Sequence, residues 1–114
     1  MSLLNVKQGQ EFQQKTEVMS ADGTVSLKQG IVFITKGTAA AVTLAPPTAG
    51  LDDGKVMRFV STTAAAHVVT CSDGFNAKGS SGTGTFAAAI GNSLTCVAYN
   101  GHWYVSSNIN VTLA

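Results

Sequence analysis

Two alternating runs joined by one turn decide the fold of this chain: SLTCVAY (residues 93–99), NG (100–101) and HWYVS (102–106). An Asn-Gly pair between alternating segments is a strong hairpin signal, because both residues tolerate the positive φ angles of a type I′ turn. Successive side chains of a strand point to opposite faces. We therefore predict a β-hairpin here, with Trp103 in the core and Tyr104 on the surface.

The chain from residue 22 onward continues this pattern of short strands and turns. The β-branched run IVFIT (31–35) and the alternating run VMRFV (56–60) are typical of strands. The intervening DDGK (52–55) predicts a tight hairpin turn. About eight or nine such strands predict an all-β domain over residues 22–114, with the architecture of a β-sandwich or barrel of jelly-roll type.

A short internal echo occurs within this domain. The tetrapeptide TAAA stands at residues 38–41 and again at residues 63–66. The match is compatible with a repeated strand–turn unit, but it is too short to establish a repeat architecture.

The start of the chain, residues 1–21, differs from the rest and forms a predicted N-terminal arm. Glutamines cluster in it and apolar residues are sparse, which argues against a core element. The pattern is compatible with an extended arm or with a short helix from Gln10 to Met19. Polar arms are ordered only when they are tied down, so we expect a partner chain to hold this one.

The composition restricts the class of protein. Ala, Thr, Gly and Ser supply 15, 13, 12 and 10 of the 114 residues, only 11% of the chain is charged, and the net charge is +1. A nucleic-acid binder needs a basic stripe, and a membrane span needs about 20 apolar residues; neither is present, and the N-terminus lacks the pattern of a signal peptide. Such low charge predicts that part of the surface is covered, because small soluble domains carry more charge.

The sequence contains no convincing active site, metal site or cofactor site, and we predict that the protein is not an enzyme. His67 and His102 lack companion ligands at metal-binding spacing, and Asp52-Asp53 is typical of a turn. Cys71 and Cys96 are interpreted as small buried thiols, with a disulfide open only if their strands are neighbours. The segment GTGTFA (82–87) resembles a dinucleotide motif, but strands surround it and no helix follows.

Two stretches carry a resemblance to a known class of proteins. GTAAAVTLAPPTAG (37–50), followed by DDGK (52–55), and LTCVAYNGHWYV (94–105) resemble small virion proteins of tailed bacteriophages, most closely head decoration (cement) proteins. The likeness covers roughly residues 25–107. It implies a homotrimer that binds the major capsid protein on the outer capsid surface and stabilises the head, after synthesis in the host bacterial cytoplasm.

The leading hypothesis is therefore a capsid decoration protein without a cofactor. Its arm is expected to bind the capsid or a neighbouring subunit, and deletion of residues 2–15 to abolish capsid binding while leaving the trimer folded. The Ala/Thr-rich strands are expected to line inter-subunit contacts, and loop 72–84 to project outward or touch a neighbour. The alternative is a tail-fibre or tail-spike domain; a chain that starts at its own Met1 favours the head protein. The proposed apolar anchors of the arm are Leu3, Leu4, Val6 and Phe12.

Overall fold

The computed structural model describes residues 14–78 and 82–114, and in these ranges it contains ten β-strands and no helix. The all-β prediction is therefore confirmed. The strands are β1 (Thr16–Met19), β2 (Gly23–Thr24), β3 (Gly30–Ile34), β4 (Ala41–Thr43), β5 (Val56–Ser61), β6 (Val68–Thr70), β7 (Thr83–Phe86), β8 (Ser93–Tyr99), β9 (His102–Ile109) and β10 (Val111–Leu113).

The strands form two five-stranded sheets that share one core. Sheet A has the order β1-β3-β5-β8-β9, and sheet B has the order β10-β7-β6-β4-β2. Alternate residues of each strand face the other sheet, as in Met57 and Phe59 of β5, which are fully buried. The largest buried side chains are Trp103, Phe59, Phe75, Phe86, Ile34, Leu44, Met57 and Leu94.

The first six strands alternate between the two sheets, so the chain winds as a flattened coil. Each turn of this coil, here called a rung, consists of one strand of sheet A and the next strand of sheet B: β1 with β2, β3 with β4, and β5 with β6. Strands β1, β3 and β5 are parallel neighbours in sheet A, and β2, β4 and β6 are parallel neighbours in sheet B. Ile31 pairs with Arg58 in sheet A, and Ala41 pairs with Val68 in sheet B. Paired residues of the second and third rungs are therefore separated by the same number of residues in both sheets. The two copies of TAAA thus lie on consecutive rungs, but the spacing between them is slightly shorter than the spacing between paired strand residues.

Antiparallel strands complete both sheets. The predicted hairpin of β8 and β9 is confirmed: Tyr99 pairs with His102, and Asn100 and Gly101 have φ angles of 51° and 82°. Both angles are positive, as a type I′ turn requires. Strand β10 crosses back to pair with β7 in sheet B.

The prediction of a hairpin at residues 52–55 is wrong. Strands β4 and β5, which this turn connects, belong to different sheets. The two carboxylates nevertheless stabilise the turn, as expected: Asp52 accepts a hydrogen bond from the Thr48 amide at 2.7 Å, and Asp53 accepts one from the Gly50 amide at 3.1 Å. The Thr48 amide, together with the Lys55 ammonium, lowers the pKa of Asp52.

The end of the predicted arm belongs to the folded domain. Residues Thr16–Met19 form β1, the edge strand of sheet A, so the extended alternative is correct for this part. The carboxylate of Glu17 holds the following loop by accepting hydrogen bonds from the Ser26 amide at 3.0 Å and the Leu27 amide at 3.1 Å. This contact ties the first rung to the start of the second.

Candidate functional site

The outer face of sheet A is unusually apolar for a solvent-exposed surface. One row of side chains crosses all five strands: Val18, Phe33, Val60, Ser93 and Ile109. These positions follow from the register, because paired residues point to the same side of a sheet. The two end residues of the row, Val18 and Ile109, are 60% and 51% exposed.

Further apolar side chains extend this face. The next row is mostly polar, with Ile31 beside Thr16, Arg58, Thr95 and Ser107. Val56, Val97 and Tyr104 form a third row. Beyond them Tyr99 on β8 is 60% exposed. Among the described strand positions on this face, Arg58 is the one residue of the Lys, Arg, Asp and Glu types.

The outer face of sheet B has a different character. Thr24, Thr43, Thr70 and Thr83 form one row across four strands. The adjacent row consists of Ala41, Val68, Thr85 and Thr112. The Ala/Thr-rich strands therefore present small side chains and hydroxyl groups, whereas the large apolar side chains lie on the outer face of sheet A.

The candidate anchors from the sequence, Leu3, Leu4, Val6 and Phe12, lie outside the described residues. The chain leading from them enters the fold at Thr16 on β1, the edge strand beside the apolar rows of sheet A. The sequence did not reveal the outer face of sheet A itself. In IVFIT nearly every residue is apolar, so alternation does not show which side chains point outward.

His67 is a satisfied core residue rather than a ligand or a catalytic group. Its Nδ1 accepts a hydrogen bond from the Ala40 amide at 3.0 Å, and its Nε2 lies 2.9 Å from Thr63 Oγ1. The Thr63 hydroxyl donates its proton to the Lys36 carbonyl at 2.6 Å, so it accepts from Nε2–H. Both ring nitrogens of the neutral imidazole are thus hydrogen-bonded, and these bonds connect neighbouring rungs. Burial lowers the pKa of His67, and the positive charge of Lys36 adds to this shift.

We predict that His67 makes the protein less stable in mild acid. Because the folded-state pKa lies below the unfolded value of 6.5, the unfolded chain binds the proton first as the pH falls. The free energy of unfolding should therefore decrease from pH 6.5 down to the folded-state pKa and be unaffected by His67 below it. Urea unfolding between about pH 7.5 and pH 5 measures this slope.

The control variants for this prediction are His67→Asn and His102→Asn. The asparagine at position 67 keeps an acceptor for the Ala40 amide but does not titrate, so the decrease should shrink. The variant at position 102 should retain it. Equal slopes in wild type and His67→Asn would contradict the prediction.

Loop 72–84 is anchored to the hairpin over its first half. Phe75 is fully buried and forms a bridge with Trp103, and the Asn76 side chain accepts a hydrogen bond from the Val105 amide at 2.9 Å. His102 Nδ1 lies 3.0 Å from a carboxylate oxygen of Asp73. The end of the predicted loop, residues 83–84, is already part of β7.

The two cysteines are free thiols, and both are buried. Cys71 follows β6 of sheet B, whereas Cys96 lies on β8 of sheet A, so their segments are not neighbours within one sheet. Burial raises the pKa of Cys71 and raises that of Cys96 to about 12. Because the thiolate is the reactive form, neither thiol is activated as a nucleophile at neutral pH.

A shallow groove of about 280 Å³ lies where the parallel strands of sheet A begin. Three lysines contribute to it, and one of them, Lys55, is paired with Asp52 at 2.9 Å. The lining residues of the groove are Lys15, Ser26, Leu27, Lys28, Gln29 and Lys55.

A scan against protein-family models, a search of curated proteins and a search of solved structures found no match for this chain. Over residues 14–78 and 82–114, no cluster of three or more His, Cys, Asp or Glu side chains is arranged to hold a metal ion. In the same part of the chain, no helix is long and apolar enough to cross a membrane. The two sheet faces and the sequence motifs are accordingly the grounds for assigning a function.

Proposed function

We propose that this protein is a bacteriophage capsid decoration protein that binds the outer surface of the major capsid protein lattice as a homotrimer and stabilises the head. The proposal assigns it no catalytic activity and no cofactor. The observation that supports it most is the apolar outer face of sheet A, because such a face needs a protein partner. The resemblance of residues 37–55 and 94–105 to phage virion proteins supplies the kind of particle.

The size of this face fits an assembly contact. Five strands at a spacing of about 4.8 Å, and about six residues along β8 at roughly 3.3 Å each, give an area on the order of 500 Å². The largest apolar patch on a typical monomer is about 300–600 Å², and it is often functional. A specific interface buries about 800 Å² per partner, so this face would supply somewhat more than half of such a contact.

The alternative is a structural or receptor-binding domain of a tail fibre or tail spike. The stacked rungs of β1 to β6 favour it, because stacking repeats in one direction builds elongated proteins. A glycan contact through Trp103 is excluded by its burial, since this side chain is 1% exposed and its indole N–H is bound to the Ala45 carbonyl. Tyr99 and Tyr104 are the aromatic residues that remain available for such a contact.

Binding of purified protein to heads that lack it tests the proposal. Wild-type protein should saturate the heads at a fixed number of copies, and Phe33→Glu should lose this binding because it places a charge in the apolar row. Thr85→Glu on the outer face of sheet B is the matched control and should bind normally. Circular dichroism checks that both variants fold.

Two outcomes would contradict this assignment. Labelling of the chain at the tail tip in purified particles would select the tail-fibre alternative. Undiminished head binding by Phe33→Glu would show that head binding does not depend on the outer face of sheet A.

A further inference from the structure

We infer that the outer face of sheet A is the docking surface for residues 1–13 of this chain, either from the same copy or from a neighbouring copy. This inference rests on the proposed function, because it names the occupant of the same face. It also selects between the two partners expected for the arm, since it assigns the arm to a subunit of the protein rather than to the capsid.

The position of the segment supports this docking. Residues 1–13 precede Gln14 and lead into β1, the edge strand of sheet A. A fully extended segment of this length reaches at most about 45 Å, whereas the five strands are about 24 Å across. The segment is therefore long enough to cross the whole face, on its own subunit or on an adjacent one.

The chemistry of the segment matches the face. After Met1 the segment contains the large apolar residues Leu3, Leu4, Val6 and Phe12, which match the Val, Ile, Phe and Tyr side chains that the face carries among its polar ones. Burying apolar area against apolar area is worth about 25 cal/mol per Å². Both surfaces would otherwise remain in contact with water.

One ion pair between the segment and the face is also possible, because the segment carries the acidic Glu11 in addition to the basic Lys7. Arg58 donates from Nε to Thr95 Oγ1 at 3.3 Å, and among residues 14–78 and 82–114 no carboxylate forms an ion pair with it. Glu11 is the one acidic residue of the segment. The chain from Glu11 to Thr16 reaches at most about 17 Å, while Arg58 is two strands away from Thr16, or about 10 Å. Glu11 can therefore reach Arg58 when the segment lies on the face.

Disulfide trapping tests this docking in the full-length protein. Gln10→Cys combined with Val60→Cys, on the outer face of sheet A, should form a disulfide under mild oxidation, while Cys71 and Cys96 remain buried. Gln10→Cys combined with Thr85→Cys, on the outer face of sheet B, is the matched control and should form much less. A bond within one chain or between two chains supports the docking, and the mobility of the product on a denaturing gel shows which copy donates the segment. Equal yields from the two pairs would overturn it.

Charge reversal tests the ion pair in the trapping experiment. Arg58→Glu should lower the yield by about two- to fivefold, as expected for a partly exposed ion pair, and adding Glu11→Arg should restore it. Failure of the double reversal to restore the yield would refute the pairing of Glu11 with Arg58.

Deletion of residues 2–13 provides an independent readout. It should uncover the face and increase the binding of a hydrophobic dye, and adding Phe33→Glu to the deletion should reverse that increase. Unchanged dye binding after the deletion would overturn the inference. These readouts use the isolated protein, so they stand even if head binding fails.

Discussion

Trp103→Ala is expected to lower the free energy of unfolding by about 3–5 kcal/mol, the range for removing a buried aromatic side chain. Trp103 is 1% exposed, and its indole N–H donates a hydrogen bond to the Ala45 carbonyl at 2.9 Å. The side chain therefore joins the β8–β9 hairpin to the segment that follows β4, and it also packs in the core that the two sheets share. Its loss affects both contacts.

Two other substitutions make this prediction specific. Tyr104→Ala changes the next residue, which lies half-buried on the outer face of sheet A, and should cost about 1 kcal/mol, the usual value for a point mutation. Trp103→Phe keeps much of the volume but leaves the Ala45 carbonyl unpaired, at a cost of about 1–3 kcal/mol. Urea unfolding followed by circular dichroism measures all three, since the chain has a single tryptophan. A value for Trp103→Ala no larger than that for Tyr104→Ala would refute the prediction.

Gly30→Ala is expected to destabilise the protein by about 3 kcal/mol or more, because it combines backbone strain of about 1–3 kcal/mol with a steric clash. Gly30 has a φ of 127°, and a Cβ atom placed there would lie 2.3 Å from the Lys15 carbonyl oxygen. That oxygen accepts the Ile31 amide at 2.9 Å, so the clash separates β1 from β3 at the start of their pairing.

Other glycines allow the two contributions to be separated. Gly54 has a φ of 88° and no atom within 4 Å of an added Cβ, so Gly54→Ala should show the strain alone, about 1 kcal/mol. Gly37 has neither a positive φ nor a close neighbour, so Gly37→Ala should be neutral or stabilising by up to about 1 kcal/mol. Thermal and urea unfolding of the series should give the order Gly30→Ala, Gly54→Ala, Gly37→Ala. A Gly30→Ala protein as stable as the Gly54→Ala protein would contradict the clash.

The strands could be predicted from the sequence, but most of their partners could not. The hairpin of residues 93–106 was predictable because its turn and its alternation are both local. The DDGK turn carries an equally strong local signal, yet it leads from sheet B to sheet A. A turn motif indicates that the chain reverses direction. Whether the strand after the turn joins the same sheet or the other sheet depends on how both flanking strands pack.

The sequence pointed to the outer face of sheet A, the proposed interaction surface, only indirectly, through its shortage of charged residues. That shortage indicated a covered surface without locating it, because Phe33 and Val60 alternate with equally apolar inward neighbours. Their outward position follows from the parallel pairing of β3 with β5, which connects segments that are distant in the sequence. The candidate anchors Leu3, Leu4, Val6 and Phe12 remain a prediction, since they lie outside the described residues.

The alternation of strands between two sheets has a consequence for the order of folding. Partners in sheet A lie far apart along the chain: Thr16 pairs with Ile31, Ile31 with Arg58, and Val56 with Val97. Contacts between such distant residues close large loops and slow folding to milliseconds or seconds, whereas a tight hairpin forms in about 1–10 μs. The β8–β9 hairpin is therefore expected to form first and to act as the template onto which β5, then β3 and β1, are added.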